Sequence, residues 1–263
     1  MGTFLSGVPI LTKPRLGSDL FPGITGAGRR VERVMEIAGK RFLVVGGSGV
    51  LGAELTKQLH SHGATVLATA TSNDTAAKIP AVAEVRLLLD YQSPDSIKTL
   101  TDYLLGASQI DGVINAAGLV AFGPASALDQ ETIQRLFAVN TTGPIQLLSA
   151  LQPLLAQSAQ SGNSPVALNI TGVVAEQPLP NLAAYSASKI AMAGFLQALA
   201  REWRRDGINV ISANPPHTET GLASRAIAGE APNFGAGLEP AAVVEKLIHA
   251  ISEDLKALPS SEF

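Results

Sequence analysis

Tyr185 and Lys189 stand four residues apart, in Tyr185-Ser186-Ala187-Ser188-Lys189. On a helix that spacing puts both side chains on one face. A free tyrosine titrates near pH 10, and an ammonium beside it favours the phenolate and lowers that value. A tyrosine so tuned can protonate a carbonyl oxygen during reduction, or take the hydroxyl proton during oxidation. The same spacing also describes an ordinary surface pair on an exposed helix, which does no chemistry.

A second group of residues speaks for backbone chemistry. Gly46-Gly47-Ser48-Gly49-Val50-Leu51-Gly52 follows an apolar run, with glycines at positions 46, 49 and 52. Glycines there permit a tight turn, let a pyrophosphate approach the chain, and let a helix pack close to a sheet. The helix N-terminus then offers unpaired N–H groups to the anion. Ser48, Val50 and Leu51 fall within this turn and join the candidate cofactor residues. In dinucleotide sites an acidic residue after the second strand binds the ribose hydroxyls and selects NAD. Here that region reads Ala68-Thr69-Ala70-Thr71-Ser72-Asn73-Asp74, with Ala70 at the selector position. The missing carboxylate leans towards NADP(H) over NAD(H). No arginine stands at Thr71 to hold the extra phosphate, which leaves the hydroxyls of Thr69, Thr71 and Ser72. Alternatively, Asp74 reaches back and NAD is used.

These residues need elements to position them. From Lys40 onward, apolar runs alternate with helical patterns. Strands are expected at Arg41–Val45, Thr65–Ala70, 85–89, 110–115, 166–171 and 208–213, with a short seventh near Leu258. Helices are expected from the glycine turn to about His62, at 94–105, at 129–157 (carrying Asn140 and Pro144), at 183–205 and at 241–254. Continuous apolar strands alternating with helices indicate an α/β domain with a parallel sheet covered on both faces. Ligands of such sheets bind beyond the carboxyl ends of the strands. Gly46, Asp90, Asn115 and Thr171 all fall at expected strand ends, so they would gather along one edge.

Composition removes several alternatives. The chain has 263 residues, 46% hydrophobic and 16% charged, enough for one large domain. A net charge of −3 gives no electrostatic footprint for nucleic acid. There is no cysteine, hence no disulfide scaffold, thiolate metal site or Cys nucleophile. The four histidines are scattered, and no metal is expected. The N-terminus lacks the pattern of a signal peptide, and no stretch has the length of a membrane span, so a cytoplasmic protein is expected. Residues 1–35 carry Gly and Pro at short intervals without a sustained period. They read as an irregular arm, as a disordered tail, or as a start placed too early, followed by a dinucleotide-binding catalytic domain at 36–263.

The glycine turn, Asp90-Tyr91, Asn115-Ala116-Ala117-Gly118, Asn140 and Tyr185/Lys189 come in one order along residues 36 to 255. In this the chain resembles the short-chain dehydrogenase/reductase family. The resemblance implies a single domain of the doubly wound Rossmann fold, helices on both faces, and oxidoreduction of a small alcohol or carbonyl substrate with NAD(P)(H). It also implies roles. Asp90 would meet the adenine ring, with Tyr91 beside it. Asn115, Ala116, Ala117 and Gly118 would shape the floor of the cofactor site. Asn140 would bend its helix and hold a water in a proton relay. Lys189 would bind the nicotinamide ribose and tune Tyr185. Pro215, Thr218 and Thr220 would flank the nicotinamide. A homodimer or homotetramer through the helices carrying Asn140 and Tyr185 is implied, with Leu147, Leu148, Leu151, Met192, Leu196 and Leu199 serving core and contact together.

One position departs from the family pattern. The catalytic serine lies thirteen residues before the tyrosine, and that position is Gly172. Losing one polarising donor lowers a rate by roughly two to three powers of ten. Thr171 is a possible substitute donor, although adjacent strand residues point to opposite faces. Another side chain, a water or a substrate hydroxyl could serve instead. Or the protein binds its cofactor for regulation or scaffolding, with weak or lost activity. His217 reads either as a substrate contact or as a solvent-facing loop residue, and the second is expected. Residues 222–238, rich in Ala and Gly, read as a lid whose apolar tone suits a non-ionic substrate, although Arg225 could hold an acidic one.

Overall fold

The computed structural model describes residues 35–107 and 109–263; residues 1–34 of the expected arm lie outside them. Among the described residues the chain alternates strand and helix: β1 (Arg41–Val45), α1 (Val50–Ser61), β2 (Thr65–Ala70), the short α2 (Asn73–Ala76), β3 (Val85–Leu88), α3 (Pro94–Ala107) and β4 (Gly112–Asn115). Then follow α4 (Gln130–Phe137), α5 (Gly143–Gln160), β5 (Val166–Ile170), α6 (Ala183–Trp203), β6 (Asn209–Ala213), α7 (Pro240–Ser252) and β7 (Ala257–Leu258).

The strands form one parallel sheet in the order β3-β2-β1-β4-β5-β6-β7. Alternate residues of each strand feed opposite cores. Leu43, Val45, Val113 and Ala167 pack with α3, α5 and α6 through Leu100, Leu151 and Met192. Phe42, Val44, Ile114 and Leu168 pack with α1 and α7 through Leu55, Leu59, Val244 and Leu247. Covering both faces is why these strands read as continuous apolar runs rather than as alternating ones. The chain reverses its direction of winding between β1 and β4, and a crevice opens there at the strands' carboxyl ends.

Two expectations are corrected. The helix expected at 129–157 is broken. Asp129 caps α4 by accepting the Thr132 N–H, and a π-helical turn, Ala138–Thr142, separates α4 from α5. Pro144 sits in the first turn of α5, where a missing N–H is harmless. Leu147, Leu148, Leu151, Met192, Leu196 and Leu199 are all buried in the core of the single chain. They therefore cannot also touch a second subunit. Trp203 is buried in the same core.

Candidate active site

A cleft of about 770 Å³ runs along the carboxyl ends of the strands. Its first wall is the turn after β1. Gly46 has φ +79°, and a Cβ there would lie 2.9 Å from the Ala117 nitrogen. A Cβ at Gly52 would lie 2.1 Å from the Gly46 carbonyl oxygen. No other residue fits either place, so the turn is built for close approach of helix and strand. Gly49 caps α1 without any side-chain hydrogen bond, and the first turn of α1 holds no acidic residue. The helix N-terminus thus faces the cleft with neither a competing cap nor a repelling charge, as a phosphate-bearing group requires. Gly46, Ser48, Gly49, Val50 and Leu51 line it; Gly52 lies behind, holding the turn against the helix.

Thr71, Asp90 and Tyr91 line the cleft beyond β2 and β3. The Thr69 hydroxyl accepts the Gly46 N–H, and Ser72 caps α2, so of the three hydroxyls proposed for a phosphate only Thr71 is uncommitted to main chain. Asp90 accepts the Gln92 N–H. Tyr91 is buried; its hydroxyl donates to Asn115 Oδ1, and burial pushes its phenol up. Ala116, Ala117 and Gly118 line the floor. Asn115 does not. It lies beneath, where its Oδ1 accepts the Ala117 N–H and its Nδ2 donates to Asn169, and so it shapes the floor from below.

Asn140 also stands behind the lining. It is 1% exposed, in the π-helical turn. Its Oδ1 accepts the Leu119 N–H at 2.9 Å, and its Nδ2 donates to Leu119 O at 2.9 Å and to Ser188 Oγ at 3.0 Å. Both amide protons are used within the protein, so a water held by this residue would have to meet one of its acceptor oxygens. The contacts Asn140 makes here are positioning ones. It ties the loop after β4 to α6, and Ser188 completes the tie by donating to the Tyr185 carbonyl at 2.7 Å. Ser188 escaped sequence reasoning, although it lies within the tyrosine motif; its burial was the missing signal.

Tyr185 and Lys189 share one face of α6 and both line the cleft. Lys189 Nζ lies 6.0 Å from the Tyr185 ring centroid and donates to Ile170 O at 2.9 Å. The expected lowering of the tyrosine is not found. Burial pushes Tyr185 up to about 12 and Lys189 down to about 8. Desolvation penalises both charged forms here. At neutral pH the site holds a neutral phenol beside an ammonium.

Gly172 lines the cleft with φ +83° and ψ 161°. Thr171 is fully buried, and its hydroxyl meets Ala213 O at 3.1 Å, Ser212 Oγ at 2.9 Å and Asn214 Oδ1. Thr171 lines the cleft as well, but its one proton lies among three oxygens of β6 and the residue after it, which speaks against a role as substitute donor. Pro215, Thr218 and Thr220 line the cleft as well, Pro215 beside Gly172. His217, expected to face solvent, keeps a third of its side chain exposed. It lines the cleft, with its ring centroid 5.1 Å from that of Phe234 and its Nε2 3.7 Å from Glu219. The 222–238 segment roofs this end, with Ile227 N–H donating to Val120 O and Phe122 N–H to Ala228 O. Phe122, Val174, Leu182, Leu222 and Phe234 make this end apolar. Arg225 lines it too, its guanidinium donating to the Thr220 and Gly221 carbonyls. Sequence reasoning missed these apolar wall residues outside the lid, because single apolar residues in loops carry no period.

The model for short chain dehydrogenase matches residues 40–231. The chain is 28% identical over 228 residues to the uncharacterized oxidoreductase YbbO of Escherichia coli (strain K12), covering 82% of this chain and 83% of that protein. Its structure is similar to that of 3-ketoacyl-(acyl-carrier-protein) reductase from Brucella melitensis, solved with NADH, at 23% identity and a TM-score of 0.76, covering 85% and 97% of the two chains. It is also similar to a short-chain dehydrogenase from Sphingobium yanoikuyae in complex with NADPH, at 25% identity and a TM-score of 0.74, covering 84% and 87%. The chain belongs to the short-chain dehydrogenase family of oxidoreductases.

Proposed function

We propose that this protein interconverts a small alcohol and its carbonyl compound with NAD(P)(H), using Tyr185 as general acid and base. The observation that carries this reading is that Tyr185 and Lys189 open into the same cleft as the glycine turn and the bare N-terminus of α1. A bound nicotinamide would supply the hydride chemistry. The chain's own residues do the rest. Gly46, Ser48, Gly49, Val50 and Leu51 receive the pyrophosphate, while Thr71, Asp90 and Tyr91 meet the adenosine half. Ala116, Ala117 and Gly118 form the floor, and Pro215, Thr218 and Thr220 flank the reacting end. Tyr185 holds a proton at its Oη, gives it to the substrate oxygen in reduction and takes it back in oxidation. The apolar wall keeps water from that exchange.

Reduction in this scheme needs Tyr185 protonated and Lys189 charged. The first condition holds up to about pH 12, and the second is lost as pH rises through about 8. So kcat/KM for carbonyl reduction is expected to be level below pH 8 and to fall about tenfold per pH unit above it. A profile that stays level to pH 10 would take the lysine charge out of the mechanism.

The cofactor preference is expected to be small. Ala70 leaves no carboxylate to repel a 2′-phosphate, Asp74 does not line the cleft, and the uncharged hydroxyls of Thr69 and Thr71 line it at the end of β2 and just beyond. Titration should find NADPH tighter than NADH by less than about tenfold, one uncharged hydrogen bond's worth. A preference for NADH would reverse this part of the proposal. The reading extends to a cytoplasmic homodimer or homotetramer; Ile133 on α4 and Ile190 on α6 are exposed apolar residues available for such contact.

One observation favours a second reading. Gly172 supplies no hydroxyl, as suits a regulatory or scaffold protein that binds the dinucleotide without turnover. The test is direct. NADPH and NADH should each raise the melting temperature, and a panel of ketones and aldehydes should then drive loss of the reduced-nicotinamide absorbance. Stabilisation without turnover across the panel would replace the first reading by the second.

A further inference from the structure

Among the described residues, neither Thr171 nor the backbone beside position 172 restores the hydroxyl missing there. The Gly172 N–H donates to Ala213 O at 3.2 Å, and the Thr171 N–H donates to the same oxygen at 2.8 Å. The Thr171 hydroxyl is held inside the sheet. What remains is room and an acceptor. A Cβ at Gly172 would meet a single atom within 4 Å, the Pro215 carbonyl oxygen at 3.8 Å. That oxygen accepts the Val173 N–H at 3.0 Å, and a carbonyl has a second lone pair. Both Gly172 and Pro215 line the cleft that holds Tyr185.

A space without a donor but with an acceptor fits a substrate that carries its own hydroxyl. On the carbon next to the carbonyl, that hydroxyl can donate to the neighbouring carbonyl oxygen and polarise it, as an enzyme donor would. It can instead donate to Pro215 O and fix the orientation of the molecule. The surrounding wall of Phe122, Val174, Leu182 and Phe234 asks for an apolar remainder.

We propose that Gly172 selects α-hydroxy carbonyl substrates, which the protein interconverts with vicinal diols, the substrate hydroxyl lying where a side chain would otherwise stand. This rests on the reading of the protein as an alcohol/carbonyl oxidoreductase. In reduction the C=O π bond is replaced by a C–H and an O–H bond. The hydride comes from a dihydronicotinamide, which is oxidised, and the proton comes from Tyr185, which is reprotonated from solvent. The adjacent C–OH is unchanged.

The test compares 2-hydroxy-1-phenylethanone with 2-methoxy-1-phenylethanone. The methoxy compound keeps the electron withdrawal and loses the donor. The wild type with NADPH is expected to prefer the hydroxy ketone in kcat/KM by about three- to tenfold, the worth of one hydrogen bond. Ligand-observed NMR with the oxidised cofactor present should give the same order of binding without turnover. Gly172→Ala, checked for folding by circular dichroism, puts a methyl into the space and should bring the preference close to one. Equal turnover of the two ketones by the wild type would overturn this inference and leave the oxidoreductase reading standing. An unchanged preference in the folded variant would overturn the part assigned to Gly172. No turnover of either ketone, or of any simple ketone or aldehyde, would overturn both readings.

Discussion

Tyr185→Phe is expected to lower kcat/KM for carbonyl reduction by about two to four powers of ten, the usual worth of a positioned general acid. The melting temperature and the affinity for NADPH should stay near those of the wild type. The ring contributes packing, against Val120, Val174 and Leu182 on one side and Leu136 and Ala184 on the other, and phenylalanine keeps all of it. What the substitution removes is the hydroxyl, which makes no hydrogen bond to another described residue and so is free to meet a ligand. Structural damage and chemical damage therefore separate cleanly, and steady-state kinetics beside a melting curve reads both. A loss below about tenfold would move the proton donor elsewhere. His217, which lines the same cleft, would be the next residue to vary.

The sheet was legible because each strand is buried on both faces. Phe42 and Val44 enter one core while Leu43 and Val45 enter the other, so β1 reads as an unbroken apolar run. The glycine turn was legible because its geometry admits no other residue, as the contact between a Gly52 Cβ and Gly46 O would show. The break at Ala138–Thr142 was legible only through the bend that the resemblance implies at Asn140, not through the periodicity. Neither Gly nor Pro lies within it, and the helical period runs across it, so α4 and α5 read as one helix. Chain order also does not distinguish a residue that lines a cleft from one that holds the lining in place. Gly52, Asn115 and Asn140 belong to the second kind; the bonds of Asn115 to Asn169 and of Asn140 to Leu119 join elements distant in sequence. The spacing of Tyr185 and Lys189 placed them on one face, but spacing says nothing of solvent. Burial decides the direction of both pKa values, and it moves the tyrosine opposite to the effect of a neighbouring charge. The alternation of strand residues was a sound objection to Thr171, whose hydroxyl turns to β6.

Gly172→Ser is expected to destabilise the protein by about 1–3 kcal/mol and not to raise turnover. The substitution supplies the residue of the family pattern, and on side-chain grounds alone it should gain rate. The backbone forbids so simple an exchange. At φ +83° and ψ 161° Gly172 occupies a region open essentially to glycine alone. The penalty is local to that backbone, because a Cβ there has ordinary van der Waals room, its nearest neighbour being 3.8 Å away. Ala and Ser should therefore lose similar stability, a fall in melting temperature of about 2–4 °C for each kcal/mol in a domain of this size. A Cβ on this backbone also points differently from one on an extended strand end, so a serine hydroxyl would not land where the resemblance implies. The alternative is a flip of the peptide between residues 171 and 172, which would break the bond from the Gly172 N–H to Ala213 O. Thermal melts of the two variants, read beside kcat/KM on one carbonyl substrate, settle the matter. A serine variant that melts like the wild type and gains a hundredfold in rate would mean that this backbone yields easily and that the glycine is only a missing side chain. The expected pair, lower stability and no gain, would mean that the conformation itself belongs to the site.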